Sequence, residues 1–125
     1  MSTPLALIIE DDEDLSMIFA AALAAAQFKT EVIQDGNAAA VRLAVTRPDV
    51  VVLDLHLPNI SGRELLEQIR GDARLTHTRV MLASADALMA QSMRRDADLV
   101  LLKPVSFSQL RDLAKRLYPV KATQD

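Results

Sequence analysis

Five short apolar runs punctuate the chain: Leu5–Ile9, Thr30–Ile33, Val50–Leu53, Val80–Ala83 and Leu99–Leu102. Four are nearly continuous in aliphatic residues, the pattern of parallel strands covered on both faces. Thr30-Glu31-Val32-Ile33 is more mixed and reads as an edge strand. Helical patterns lie between the runs. Leu15, Ile18, Phe19, Ala22, Leu23 and Ala26 recur with the 3.6-residue period of one helix face. Leu65, Leu66 and Ile69 mark a second helix, and Phe107, Leu110, Leu113, Ala114 and Leu117 a last one. Ser106, with Gln109 three residues on, predicts a capping box there. The Ala- and Met-rich segments 37–45 and 87–94 complete the alternation as weaker helices. Strand–helix alternation through five units predicts a parallel sheet with helices on both sides, an α/β doubly wound fold.

Composition narrows the class. A chain of 125 residues is one domain in size and buries about two thirds of its unfolded surface. At 50% hydrophobic and 25% charged residues, with 3 Gly and 5 Pro, it is neither disordered nor fibrous. The absence of Cys excludes disulfides, thiolate metal sites and a Cys nucleophile. A net charge of −3 and 3% aromatic residues argue against a phosphate-backbone or base-stacking partner. The longest uncharged apolar stretch, Met17 to Ala26, falls far short of the ~20 residues that span a bilayer. No basic residue precedes an apolar segment at the N-terminus, so no signal peptide is expected and the domain reads as soluble and cytoplasmic. Residues 119–125 read as a tail.

The acidic residues carry the chemistry. The first run ends in Glu10-Asp11-Asp12-Glu13-Asp14 and the third in Asp54. Ligands of doubly wound sheets bind beyond the carboxyl ends of the strands, where the strand order reverses. If the chain starts in the middle of the sheet, Glu10, Asp11 and Asp54 face one another there. Two unit charges ~5 Å apart repel by about 3 kcal/mol at an effective dielectric near 20. A hard divalent ion relieves this, and Mg²⁺ combines one or two carboxylates with waters and phosphate oxygens. Asp12, Glu13 and Asp14 need no such role, because acids at a helix start cap it and favour its dipole. A lone strand-end Asp is more often a turn or cap residue, but Asp54 has companions. Ser84 and Lys103 end the fourth and fifth runs, which brings a hydroxyl and an ammonium to the same sheet edge. Pro104 restricts Lys103 to extended backbone and allows a cis bond.

Taken in order, Leu7-Ile8-Ile9-Glu10-Asp11-Asp12, Val52-Leu53-Asp54-Leu55-His56-Leu57-Pro58 with Gly62, Ser84-Ala85 and Lys103-Pro104 resemble the receiver domain of two-component response regulators. The resemblance spans residues 5 to about 118 and sets a receiver domain at 1–118. It implies a flavodoxin-like five-stranded sheet in the order 2-1-3-4-5 with five helices. It implies Asp54 as phosphoacceptor, taking its phosphoryl group from a phosphohistidine of a sensor histidine kinase or phosphotransfer protein. Asp11 and Asp54 match Mg²⁺ ligands, Glu10 the acid that reaches the ion through water, and His56 the backbone-carbonyl ligand. Ser84, the Ala85 amide and Lys103 match the groups that hold the phosphoryl oxygens. The chain would then be no enzyme on other substrates, but a phosphoacceptor assisting its own phosphorylation and dephosphorylation. The implied output face joins the fourth helix, fifth strand and fifth helix. It would meet a downstream protein target, without binding nucleic acid or membrane itself, and allows a homodimer.

Departures from the family pattern are specific. Val100 stands where an aromatic switch residue is usual, Ser61-Gly62 replaces a common Asp-Gly, and Asp96-Ala97 replaces Gly-Ala. His56 and Asp86 hold the positions that flank the attacking water and are expected to modulate phosphoryl lifetime. Two readings compete. A haloacid-dehalogenase-type phosphohydrolase would need a second Asp where His56 stands, and room for a cap. A receiver-like interaction module with an inert site would normally have lost Asp54 or Lys103. Exposed His77 and the buried Met81, Met89 and Met93 are expected to serve structure alone.

Overall fold

The computed structural model describes residues 3–119, in which five strands alternate with five helices. The strands are β1 (Leu5–Ile9), β2 (Lys29–Ile33), β3 (Val50–Asp54), β4 (Arg79–Ser84) and β5 (Leu99–Leu102). The helices are α1 (Glu13–Ala25), α2 (Gly36–Val45), α3 (Gly62–Arg70), α4 (Ala87–Ser92) and α5 (Phe107–Arg116). All pairings are parallel, in the order β2-β1-β3-β4-β5. The chain moves outward from β1 to β2 and returns on the other side of β1 as β3, so the reversal falls between β1 and β3.

Successive strand side chains point to opposite faces, and both faces are dry. Ala6, Ile8, Val50, Val52, Met81 and Ala83 pack with Phe19 and Leu23 of α1 and Leu110 and Ala114 of α5. Leu7, Ile9, Val51, Leu53, Val80 and Leu82 pack with Ala39 and Leu43 of α2 and Leu65 and Ile69 of α3. Burial on both sides is why the central runs contain no alternating polar positions. β2 is an edge strand, as its mixed composition predicts, and Glu31 on it is bound by both the Nε and an Nη of Arg42.

Several expectations need correction. The run Leu99–Leu102, read as covered on both faces, is the edge strand that the order 2-1-3-4-5 implies, and only Leu101 is buried, with Leu102 53% exposed. Ile18 leaves the core stripe of α1 for solvent, and Ser16 is buried instead, its hydroxyl donating to the Glu13 carbonyl. Segment 87–94 divides into a helix ending at Ser92 and a 3-10 turn at Arg94–Asp96; a second such turn covers Ala73–Leu75. Ser106 caps α5 by accepting from the Gln109 amide, without the return bond that would complete a capping box. The complete box lies at Ser61 and Glu64, opening α3. His77 is exposed and Met81 and Met93 are buried as expected, Met89 is only half-buried against the α2–α3 core, and the Lys103–Pro104 bond is cis. Pro119 is exposed, whereas 120–125 of the expected tail lie outside the described residues. Among those described, no helix is long and apolar enough to cross a membrane.

Candidate functional site

The carboxyl ends of β1, β3, β4 and β5 converge on one acidic cleft. Ile9 pairs with Leu53 in register, which brings Glu10, just past β1, beside Asp54 at the end of β3. One carboxylate oxygen each from Glu10, Asp11 and Asp54 lie within 4.8 Å of one another. Glu10 and Asp54 are buried, at 1% and 3% exposure, whereas Asp11 faces solvent. Asp12, Glu13 and Asp14 turn to the helix instead: Asp12 caps α1 by accepting from the Leu15 amide, and the other two occupy its first turn.

Lys103 follows β5 and reaches back into the cluster. Its Nζ lies 3.0 Å from Glu10 Oε1 and 3.3 Å from Asp54 Oδ1. Burial alone would lower the lysine pKa. The Glu10 and Asp54 carboxylates outweigh that and hold it above the ordinary lysine value. Burial pushes Glu10 up to about 7, and the neighbouring Asp54 charge adds to the rise; Lys103 and the Asp12 amide oppose it. The cleft thus binds a proton unusually well when nothing else balances its charge.

Ser84 is fully buried at the end of β4. Its Oγ accepts from the Asp86 amide at 2.9 Å and its hydroxyl donates to the Asp86 carbonyl at 3.3 Å. Ala85 follows and is exposed. The Asp86 carboxylate is committed to capping α4, accepting from the Leu88 and Met89 amides. The exposed His56 donates its backbone N–H to Asp54 Oδ1 at 3.1 Å, a contact absent from the sequence-based expectations. Val100 is half-buried against the α2–α3 core.

Two further features of the cleft escaped sequence reasoning. A Cβ built on Gly62 would lie 2.6 Å from Leu55 Cα and 2.7 Å from the Asp54 carbonyl oxygen, so α3 begins in direct backbone contact with the strand end that carries Asp54. Asn59, with φ of 72°, sends its side-chain amide to the Asp35 carboxylate across the cleft rim. A Gly after Ser at a helix start was the only signal for the first. The second pairs residues 24 apart and leaves no local trace.

The donor set fits a hard divalent cation. Only oxygens are offered, two carboxylates are too buried to discard their charge to solvent, and exposed Asp11 leaves room for retained waters. Among the described residues, neither His belongs to such a cluster.

Comparison with known proteins agrees with this geometry. The family model described as the response regulator receiver domain matches residues 6–115, and the chain belongs to that family. It is 29% identical over 117 residues to the phosphate regulon transcriptional regulatory protein PhoB of Rhizobium meliloti, covering 91% of this chain and 52% of that protein. It is 32% identical over 106 residues to the transcriptional regulatory protein TrcR of Mycobacterium tuberculosis, covering 83% and 41%. The chain thus spans about half or less of the length of these curated relatives. Its fold resembles the receiver domain of the sensor histidine kinase PA1611 from Pseudomonas aeruginosa, with a TM-score of 0.80 and 21% identity over 94% of this chain and 98% of that one. That structure has a magnesium ion coordinated in its active-site cleft. The chain is therefore a receiver domain of the two-component kind, with the doubly wound 2-1-3-4-5 sheet that the resemblance implied.

Proposed function

We propose that this receiver domain is a Mg²⁺-dependent phosphoacceptor, phosphorylated on Asp54 from a phosphohistidine of a sensor histidine kinase or phosphotransfer protein. The observation that carries the reading is the convergence of Glu10, Asp11 and Asp54 within 4.8 Å, with Lys103 Nζ 3.3 Å from Asp54. A Mg²⁺ ion held by Asp11, Asp54 and the His56 carbonyl, with Glu10 acting through water, would supply positive charge to the phosphoryl oxygens. The chain's own residues do the rest. An Asp54 carboxylate oxygen attacks phosphorus as the P–N bond to the donor imidazole breaks, leaving the bonding pair on nitrogen and an acyl phosphate on Asp54. Lys103 is close enough to exchange its carboxylate partners for a phosphoryl oxygen. Ser84 would give up its bonds to the Asp86 backbone to donate to another, and the Ala85 amide would serve a third.

Such an exchange alters the β4–α4 connection, because the Ser84–Asp86 bonds hold the turn whose last residue, Asp86, caps α4. The adjoining α4–β5–α5 face is the proposed output surface. It exposes Leu88, Leu102 and Phe107, apolar side chains suited to a downstream protein target or a homodimer. Val100 is too small to act as an aromatic lever, so the readout falls to the β4–α4 segment. His56 and Asp86, exposed at the rim, are proposed to tune phosphoryl lifetime. In this reading the chain acts in the cytoplasm and turns over no substrate but its own phosphoryl group.

The test is intact mass after incubation with acetyl phosphate, with and without Mg²⁺, on wild type and Asp54→Asn. One Mg²⁺-dependent phosphoryl adduct, absent from the variant, is expected. No adduct and no donor hydrolysis would overturn the proposal and leave an inert interaction module.

A further inference from the structure

The segment between β3 and α3, residues 55–61, carries His56 and its amide contact to Asp54. At its base it is tied by the Leu55 amide to the Ala83 carbonyl (3.2 Å) and by the Gly62 amide to the Leu55 carbonyl (3.3 Å). Between these ties the arc from His56 to Ile60 is held by the His56 amide bond to Asp54 and by partial packing of Leu57 and Ile60 on the α2–α3 core. Its further backbone contact comes from a different part of the chain, the start of α2. The Gly36 amide donates to the Pro58 carbonyl at 3.4 Å, and a Cβ on Gly36 would lie 2.4 Å from the Ile60 carbonyl oxygen, so the two backbones touch. Beside this contact Asp35 accepts from the Asn59 side-chain amide.

Capping explains only part of Asp35. One of its oxygens accepts from the Ala38 amide and closes the helix start, while the other receives Asn59. Helix capping does not call for the second bond. Nor does the loop require Asn for its backbone alone, since glycine occupies left-handed φ more readily. The Asn59 side chain is therefore placed to tie the loop to α2.

We propose that Asp35 and Asn59, with Gly36 seated on Ile60, form a clasp that holds the β3–α3 loop in register with the phosphoacceptor, making both side chains positioning residues for metal binding at Asp54. The inference rests on the function proposed above, because the loop matters through the His56 carbonyl and the His56 amide bond to Asp54. Opening the clasp frees the arc to fluctuate and dilutes the arrangement in which both groups face the cleft.

Asn59→Gly is the cleanest probe, because it keeps the left-handed backbone and leaves Asp35 capping α2. Amide hydrogen exchange at His56 in metal-free protein is expected to quicken about tenfold. The Mg²⁺ dissociation constant, read by NMR titration, is expected to rise by about tenfold, the lower end of what loss of a supporting contact costs a metal site. Asn59→Asp, which sets two carboxylates against each other, should move both readouts the same way and more strongly at low salt. Asn37→Ala, an exposed side-chain change next to Gly36 that keeps the backbone amide facing Asp35, should move neither. If wild type binds Mg²⁺ and both Asn59 variants keep its affinity and its His56 exchange rate, the clasp is refuted while the proposed function stands. If wild type neither binds Mg²⁺ nor forms the phosphoryl adduct, the proposed function falls and the clasp with it.

Discussion

Glu10 is the carboxyl that a metal-free cleft can most readily neutralise, since it is buried, faces Asp54 and has its pKa pushed up to about 7 from 4.5. The sign of the resulting pH dependence follows. Below pH 4.5 Glu10 is protonated in folded and unfolded chains alike and contributes nothing. As pH rises towards 7 the unfolded chain releases that proton and the folded one retains it, so stability falls, by roughly 3 kcal/mol in all. Glu31, held low by the Arg42 hydrogen bond, and Asp72, held low by the Arg74 amide, act in the opposite sense but below pH 4.5. Urea unfolding of metal-free protein should therefore show stability declining between about pH 5 and 7.5, and Glu10→Gln should flatten that decline. A wild-type profile flat across this window would refute the account. Asp54→Asn tests the same electrostatics from the other side. It removes a charge facing Glu10 and leaves the 3.0 Å Lys103–Glu10 pair in place. Metal-free Asp54→Asn should be more stable than wild type at pH 8 by about 1 kcal/mol. A loss would mean that the Asp54–Lys103 attraction outweighs the repulsion.

Among the elements, the start of α3 combines a close backbone contact with a complete cap. Its backbone abuts Leu55 and Asp54 at Gly62, and its capping box joins Ser61 and Glu64 reciprocally. Gly62→Ala would force a methyl group against main-chain atoms that cannot rotate away, and should cost roughly 2–3 kcal/mol in urea unfolding. Ser61→Ala should cost about 1 kcal/mol, the usual value of a lost cap. Measured costs in the reverse order would place the constraint in the cap instead. The same helix shows what a single sequence can reveal. Central strands were legible because burial on both faces leaves unbroken aliphatic runs, and Asp54, Ser84 and Lys103 were legible as polar residues ending those runs. The order 2-1-3-4-5 placed β5 at the edge, but its burial on both faces was misjudged because aliphatic residues on an edge strand look the same as those in the middle. The capping box was expected at Ser106, where the partner is the neutral amide of Gln109; the one that forms uses the Glu64 carboxylate, the better partner for the positive end of a helix. The Asp35–Asn59 bond had no signal, since nothing local couples two loops 24 residues apart.

At the scale of the molecule, the cleft sits where all the central strands end, and those strands are shared by both cores. A domain of this size unfolds as one cooperative unit, so an ion bound only in the folded cleft must stabilise the whole fold. The gain is set by mass action: at ten times its dissociation constant, a ligand that binds only the folded chain adds ~1.4 kcal/mol. For a domain this long that corresponds to a melting temperature raised by about 4–6 °C. The gain should be larger at pH 8 than at pH 5.5, where Glu10 keeps its proton and the ion must compete with it. Asp11→Asn removes the exposed ligand without opening a cavity, so it should abolish the rise while leaving the metal-free melting temperature nearly unchanged. Asp112→Asn, on α5, should leave the rise intact. Calorimetry of the three proteins with and without millimolar Mg²⁺ decides it. A wild-type melting temperature unmoved at pH 8 would mean that Lys103 already satisfies the cluster and that the cleft needs no ion.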